Sequence, residues 1–183
     1  MKIKEQEIAV KLGGLYHGRI CTAIYLDTIG VEISPKKILN RIHKYAVGKL
    51  VVLYGDVAVQ PLHELAILIG DLIDLRYEVS VVLDEVQDLE GVSGLPSFLS
   101  VHVRSQLPKS SRVNELIWTV DEDNETFSNE INRMSLSNKP HIPVFVQPET
   151  RREIPMCLKI LKDHPMWRLF TEDSIVLSLR TLS

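Results

Sequence analysis

Apolar residues fall along this chain in two alternating rhythms. Short unbroken runs of strand length are separated by longer segments in which they recur every three to four positions, the order of βα units feeding a mainly parallel sheet. ICTAIYL at 20–26 predicts a strand. A helix follows in SPKKILNRIHKYAV, with Ser34 as N-cap, Pro35 in the first helical position, and Ile38, Leu39, Ile42 and Tyr45 on one face. KLVVLYG (49–55) predicts a buried strand, PLHELAILIGDLIDLR (61–76) a helix opened by Pro61, and YEVSVVLD (77–84) a third strand. SFLSVHV (97–103) and NELIWTV (114–120) predict two more strands, and NETFSNEINRMSL (124–136) a helix. IPVFVQP (142–148) is a further strand, REIPMCLKILKDH (152–164) a helix, and WRLF (167–170) a terminal strand. The Pro/Gly/Ser stretches at 90–97 and 104–111 predict connecting loops. With no linker composition and no internal repeat, residues 1–183 are expected to form a single domain.

Composition narrows the field. The 183 residues are 45% hydrophobic and 25% charged, inside the range of ordinary folded chains. A net charge of -3 without any basic cluster offers no general attraction to phosphates or anionic lipid. Neither nucleic acid nor a membrane is therefore expected as a partner. No run approaches the roughly 18 apolar residues of a membrane-spanning helix, and MKIKEQEIAV lacks the apolar core of a secretory leader. The two cysteines, Cys21 and Cys157, stand far apart in apolar company, as buried thiols of a reducing compartment would. The expected location is cytoplasmic.

The six histidines form no HExxH pair and no Cys/His grouping at zinc spacing, so no metal site is expected. GGLYHGR has the glycine spacing of a phosphate loop, but Arg19 and Ile20 stand where lysine and a hydroxyl residue would hold phosphate and magnesium, and a strand rather than a helix follows. It is a turn. No GxSxG elbow is present, and Cys21 sits in an apolar strand where burial raises a thiol pKa rather than activating it. Asp84 and Glu85, at a strand end, are a candidate carboxylate pair beside the plainer reading of solvated loop acids.

A series of motifs runs through these elements in a fixed order. YHGRICTAIYL passes through a glycine turn into the first strand, where Leu26 continues directly into Asp27 and Thr28; VVLYGDVAVQPLHEL gives strand, glycine turn and helix. YEVSVVLDE, LSVHVR, NELIWTV, VFVQP and HPMWRLF follow. In this order the chain resembles the radical S-adenosylmethionine family, specifically the 7-carboxy-7-deazaguanine synthases, over almost its whole length. The resemblance implies a cysteine-rich cluster loop ending in Cys-Asp-Thr, of which only Asp27 and Thr28 remain. A cluster of that type needs three closely placed thiolates. The family's Gly-Gly-Glu-Pro turn, which holds the cofactor's methionine amine, reads Gly55, Asp56, Val57, Ala58; its Glu-Thr-Asn-Gly strand end reads Val82, Leu83, Asp84, Glu85. Ser-Pro-Lys becomes His102, Val103, Arg104, and Ile117 replaces a lysine. The Gln-Gly-Glu-Gly substrate turn reads KLGG, while Gln147, Pro148, Trp167 and Arg168 persist ahead of a changed Glu172, Asp173, Ser174, Ile175.

The resemblance implies an α/β fold, a partial parallel (β/α) barrel of the radical enzyme type with the cluster loop missing. It further implies a non-catalytic relative without cofactor, which binds another protein as a regulator or inhibitor, with homodimerisation a further expectation. IWTV and WRLF offer Trp118 and Trp167 as aromatic anchors for such contacts. Val57, Val82, Leu83, Val103 and Ile117 are expected to fill the interior of a closed barrel. A second reading keeps the cavity open for a purine-, pterin- or nucleotide-like molecule, contacted by His102, Arg104, Gln147 and Arg168. A third is an enzyme of cluster-independent chemistry using Asp84, Glu85 or His102.

Overall fold

The computed structural model describes residues 1–11, 14–84, 91–92, 94–108, 112–121, 125–137 and 140–170. Every predicted strand forms: β2 (Ile20–Leu26), β4 (Leu50–Gly55), β5 (Glu78–Asp84), β6 (Phe98–Val103), β7 (Glu115–Val120), β8 (Val144–Pro148) and the two-residue β9 (Arg168–Leu169). These run parallel in that order. Two further strands precede them at one edge, β1 (Lys2–Val10), antiparallel to β2, and the short β3 (Val31–Glu32), antiparallel to β1, giving among the described residues a nine-stranded sheet ordered β3-β1-β2-β4-β5-β6-β7-β8-β9. The fold is mixed α/β with a mostly parallel, open sheet.

Among the described residues, the α-helices α1 (Pro35–Tyr45), α2 (Leu62–Asp74), α3 (Ser128–Ser137) and α4 (Ile154–Asp163) contribute their apolar stripes to one large core on one face of the sheet. In α1 the buried residues are Ile38 and Ile42, whereas Tyr45 is half exposed rather than part of the buried face. Ser34 and Pro35 start this helix as expected, although the serine side chain makes no capping hydrogen bond.

Strand alternation sends odd and even residues to opposite faces. Val51, Leu53, Val79, Val81, Leu83, Leu99, Val101, Val103, Leu116 and Trp118 join the helix-side core. Cys21, Leu50, Val52 and Val82 pack together on the other, inner face, as do Ile117, Phe145 and Phe170. Two expectations are thereby corrected. Leu83 and Val103 face the helices and Val57 joins the same core, so of the five residues expected to fill the interior only Val82 and Ile117 do so, in an interior that is not closed. Trp118 (0% exposed) and Trp167 (8%) are also core, packed edge to face with centroids 6.2 Å apart, and offer no surface anchor.

The sheet nevertheless curls. Lys11, just past β1, comes within 3.9 Å of Glu115 at the start of β7. These strands stand five positions apart in the sheet, about 24 Å if it were flat. The inner face is therefore concave.

Candidate functional site

In α/β barrels the functional rim lies at the C-terminal ends of the parallel strands. Here the first part of that rim is a pair of interlaced turns. After Leu26 the chain does not loop outward. It turns at once through residues 27–30 into β3, with Ile29 N–H donating to Asp27 Oδ1 at 2.9 Å and Thr28 N–H to Asp56 Oδ2 at 3.1 Å. Gly55 opens the turn after β4 at φ +78, and a Cβ there would lie 2.4 Å from the Leu26 carbonyl oxygen, so only glycine fits. Gln60, 8% exposed, ties the assembly together. Its oxygen accepts from Lys2 N–H at 2.9 Å, and its amide nitrogen donates to Asp27 O at 3.3 Å and Asp56 O at 3.2 Å. Asp56 and Gly55, expected at a cofactor-binding turn, are thus engaged with the chain's own backbone. Ile29 (88% exposed), Val31 (70%), Val59 (56%) and Leu62 (48%) stand out on and beside these turns.

Further round the rim, sheet register fixes where the expected contact residues lie. Asp84, His102, Ile117, Phe145 and Arg168 form one continuous cross-strand row over β5 to β9. Thr119 and Gln147 pair in the row above. His102 stands edge to face with Phe170, centroids 6.5 Å apart, so the row is polar at His102 and plugged by Ile117, Phe145 and Phe170 beside it. Gln147 is half-buried and its side-chain oxygen has no partner. Arg104 is exposed and forms an ion pair with Glu149 at 2.5 Å, and Arg168 is exposed on the edge strand. His102 and Gln147 therefore share the inner face but stand two strands apart, on β6 and β8 and one row out of step, while the two arginines stand exposed. Glu85 lies outside the described residues, as do residues 172–175.

The base of the inner face holds what the motifs did not disclose. Glu115 is wholly buried; its Oε2 accepts Leu15 N–H at 2.7 Å, and Oε1 has no hydrogen-bond partner, facing the 3%-exposed Lys11. Gly14, at φ +67, leaves the room: a Cβ would sit 2.5 Å from Oε1. Burial holds the Lys11 pKa below the ordinary lysine value, against the opposing pull of Glu115 and Cys21. Burial also lifts Cys21 to about 11 and Tyr25 to about 12, and raises Tyr54, whose ring stacks on Tyr25 at 5.2 Å. Ser80 and Ser100, fully buried, have partnerless hydroxyls on the same face. One sequence signal existed: a glutamate heading the otherwise apolar strand ELIWTV.

The residues present do not fit the iron–sulfur cluster implied by the resemblance. Three adjacent thiolates are required, and the chain has two cysteines. Cys21 lies on the inner face and Cys157 on α4 in the helix-side core, with burial pushing each up to about 11. Among the described residues no three His, Cys, Asp or Glu are grouped to hold a metal ion, and no helix is long and apolar enough to cross a membrane.

No family model matches the chain, and no curated protein sequence matches it. Among solved structures it is similar to QueE from Escherichia coli, with a TM-score of 0.68 and 15% sequence identity over 93% of each chain. The fold is QueE-like.

Proposed function

We propose that this protein is a QueE-like scaffold that works without radical chemistry, by binding another protein as a regulator or inhibitor. The observation that carries the reading is the β2–β4 rim. There the resemblance implies a cysteine loop and a cofactor turn, and the chain has two short turns laced by Gln60 and Asp56, flanked by exposed Ile29, Val31, Val59 and Leu62. Four large apolar side chains exposed on two turns that are tied to one another favour a protein contact over solvent. The QueE-like fold and the ordered synthase-like motifs support a shared scaffold; the donor set argues against shared chemistry. Two measurements test this. Anaerobic reconstitution with iron and sulfide should leave iron well below one cluster per chain, and affinity purification from the native host should bring down a stoichiometric protein partner. Stoichiometric iron with cluster absorbance, or no partner, overturns the reading.

A second reading is favoured by the partnerless Gln147 oxygen and the buried Ser80 and Ser100 hydroxyls. On it, the inner face takes a purine-, pterin- or nucleotide-like molecule, with His102 and Gln147 as contacts. A ligand retained through purification and released on denaturation would favour it.

A further inference from the structure

We infer that the outer edge of β1 is a docking strand for an extended, acidic peptide segment of a partner protein. This rests on the protein-partner reading above and says where and how the partner binds. β3 covers β1 only at Lys2 and Ile3, so among the described residues the edge from Lys4 to Val10 has no strand beside it. Backbone groups point alternately to the two sides of an antiparallel strand. Lys11 N–H donates inward to Arg19 O, and counting back by twos turns Ala9 and Glu7 toward β2 and leaves the N–H and C=O of Ile8 and Gln6 on the open edge. An unpaired edge of this kind is a template for an added strand.

A groove of about 690 Å³ runs alongside, between β1 and α1, floored by Thr22 and walled by Val31, Ile33 and Tyr45. Two observations mark it as a binding groove. Thr22 is 2% exposed and its hydroxyl has no partner, and the Gln6 side-chain oxygen, also buried, has none either. An arriving segment supplies those partners. Charge selects its character. Glu5 and Glu7 pair with Tyr25 and Ala23 of β2, in the parity of the inner-face Cys21, so both carboxylates turn to the inner face while their backbone lines the groove and Lys4 and Arg41 supply its side-chain charges. The fitting segment is therefore an extended strand with apolar side chains toward Val31 and Tyr45 and a carboxylate toward Lys4 and Arg41.

The full-length chain is panned against a phage-displayed library of random dodecapeptides, and enriched peptides are synthesised and titrated. Enriched sequences should combine alternating apolar residues with Asp or Glu. Ile8→Pro removes one outward N–H at an edge position that accepts proline, and should weaken these peptides at least tenfold. Arg41→Glu, at an exposed position whose change leaves folding intact, should weaken acidic peptides similarly and enrich basic ones. Thr22→Val should raise the melting temperature of the unbound protein and lower peptide affinity together. Absence of enrichment, or unchanged affinity in both Ile8→Pro and Arg41→Glu, overturns the proposal. A host protein that co-purifies equally with the parent and both variants overturns this groove but leaves the partner reading standing; no peptide and no host partner overturns both.

Discussion

Replacing Glu115 by alanine tests the buried pair at the base of the inner face. The carboxylate is 0% exposed, its partner ammonium 3%, and its other oxygen holds Leu15 N–H at 2.7 Å. Removing it strands a buried lysine and a backbone donor at once. Breaking a buried ion pair from one side costs about 3–5 kcal/mol, and a lost hydrogen bond to a buried donor adds about 1–3 kcal/mol. The lysine can relieve part of this by giving up its proton, since burial already depresses its pKa. A net loss of about 3–4 kcal/mol is expected, or roughly 6–16 °C in melting temperature for a chain of this size. The double variant Lys11→Met, Glu115→Leu removes both charges and should recover most of the loss, because apolar replacements of buried pairs are often neutral or stabilising. Thermal melts and urea titrations of parent, both single variants and the double variant complete the cycle. A loss below about 1 kcal/mol for Glu115→Ala, or a double variant as unstable as the sum of the singles, would refute the stabilising role of the Lys11 and Leu15 links to Glu115 on β7.

Ile117→Lys restores the residue type of the resembled family inside the Ile117, Phe145 and Phe170 cluster; at 2% exposure the unpaired charge should cost several kcal/mol, and an unchanged thermal midpoint would show an open, wet cavity instead. Stability should fall with alkali. The Cys21 and Cys157 thiols titrate near 9 when unfolded and at about 11 when folded, so their contribution is complete below pH 9 and is lost as pH rises through 11, about 2–3 kcal/mol for each; equal urea midpoints at pH 8.5 and 11 would contradict this. Gln60→Leu strands Lys2 N–H, Asp27 O and Asp56 O and should cost about 1–3 kcal/mol; faster amide exchange confined to the two rim turns is the confirming signature, and unchanged exchange there would argue that the turns hold without it.

The parallel half of the fold was legible because its strands are apolar runs and its helices carry clean three-to-four periodicity, with Ser34 and Pro35 marking one start. The same property hid which residues face inward. From Val79 to Leu83 strand β5 is buried on both sides, so its pattern lacks the alternation that assigns faces; Val82 and Leu83 look alike in sequence and diverge by parity alone. Strand β1 was hidden for a different reason. Its register shifts between Ile3 and Glu5, and that irregularity places Ile3 and Gln6 out of step with a period of two.

Face parity also decides what kind of surface this protein presents. On the inner face, apolar side chains occupy strand positions where the resemblance implies polar groups, yet Ser80, Ser100, Glu115 and Gln147 keep buried oxygens without a hydrogen-bond partner among the described residues. Such groups cost stability wherever they stay unpaired. On the opposite side of β1 and β2, Thr22 and Gln6 repeat the pattern beside an open strand edge. A chain optimised only for folding would replace Thr22 by valine, which has the same shape and leaves no orphan hydroxyl. Thr22 on β2, flooring the groove beside the open edge of β1, with Lys4, Arg41 and the exposed Val31 lining the same groove, is the arrangement expected where a second chain completes the hydrogen bonds that the first leaves open.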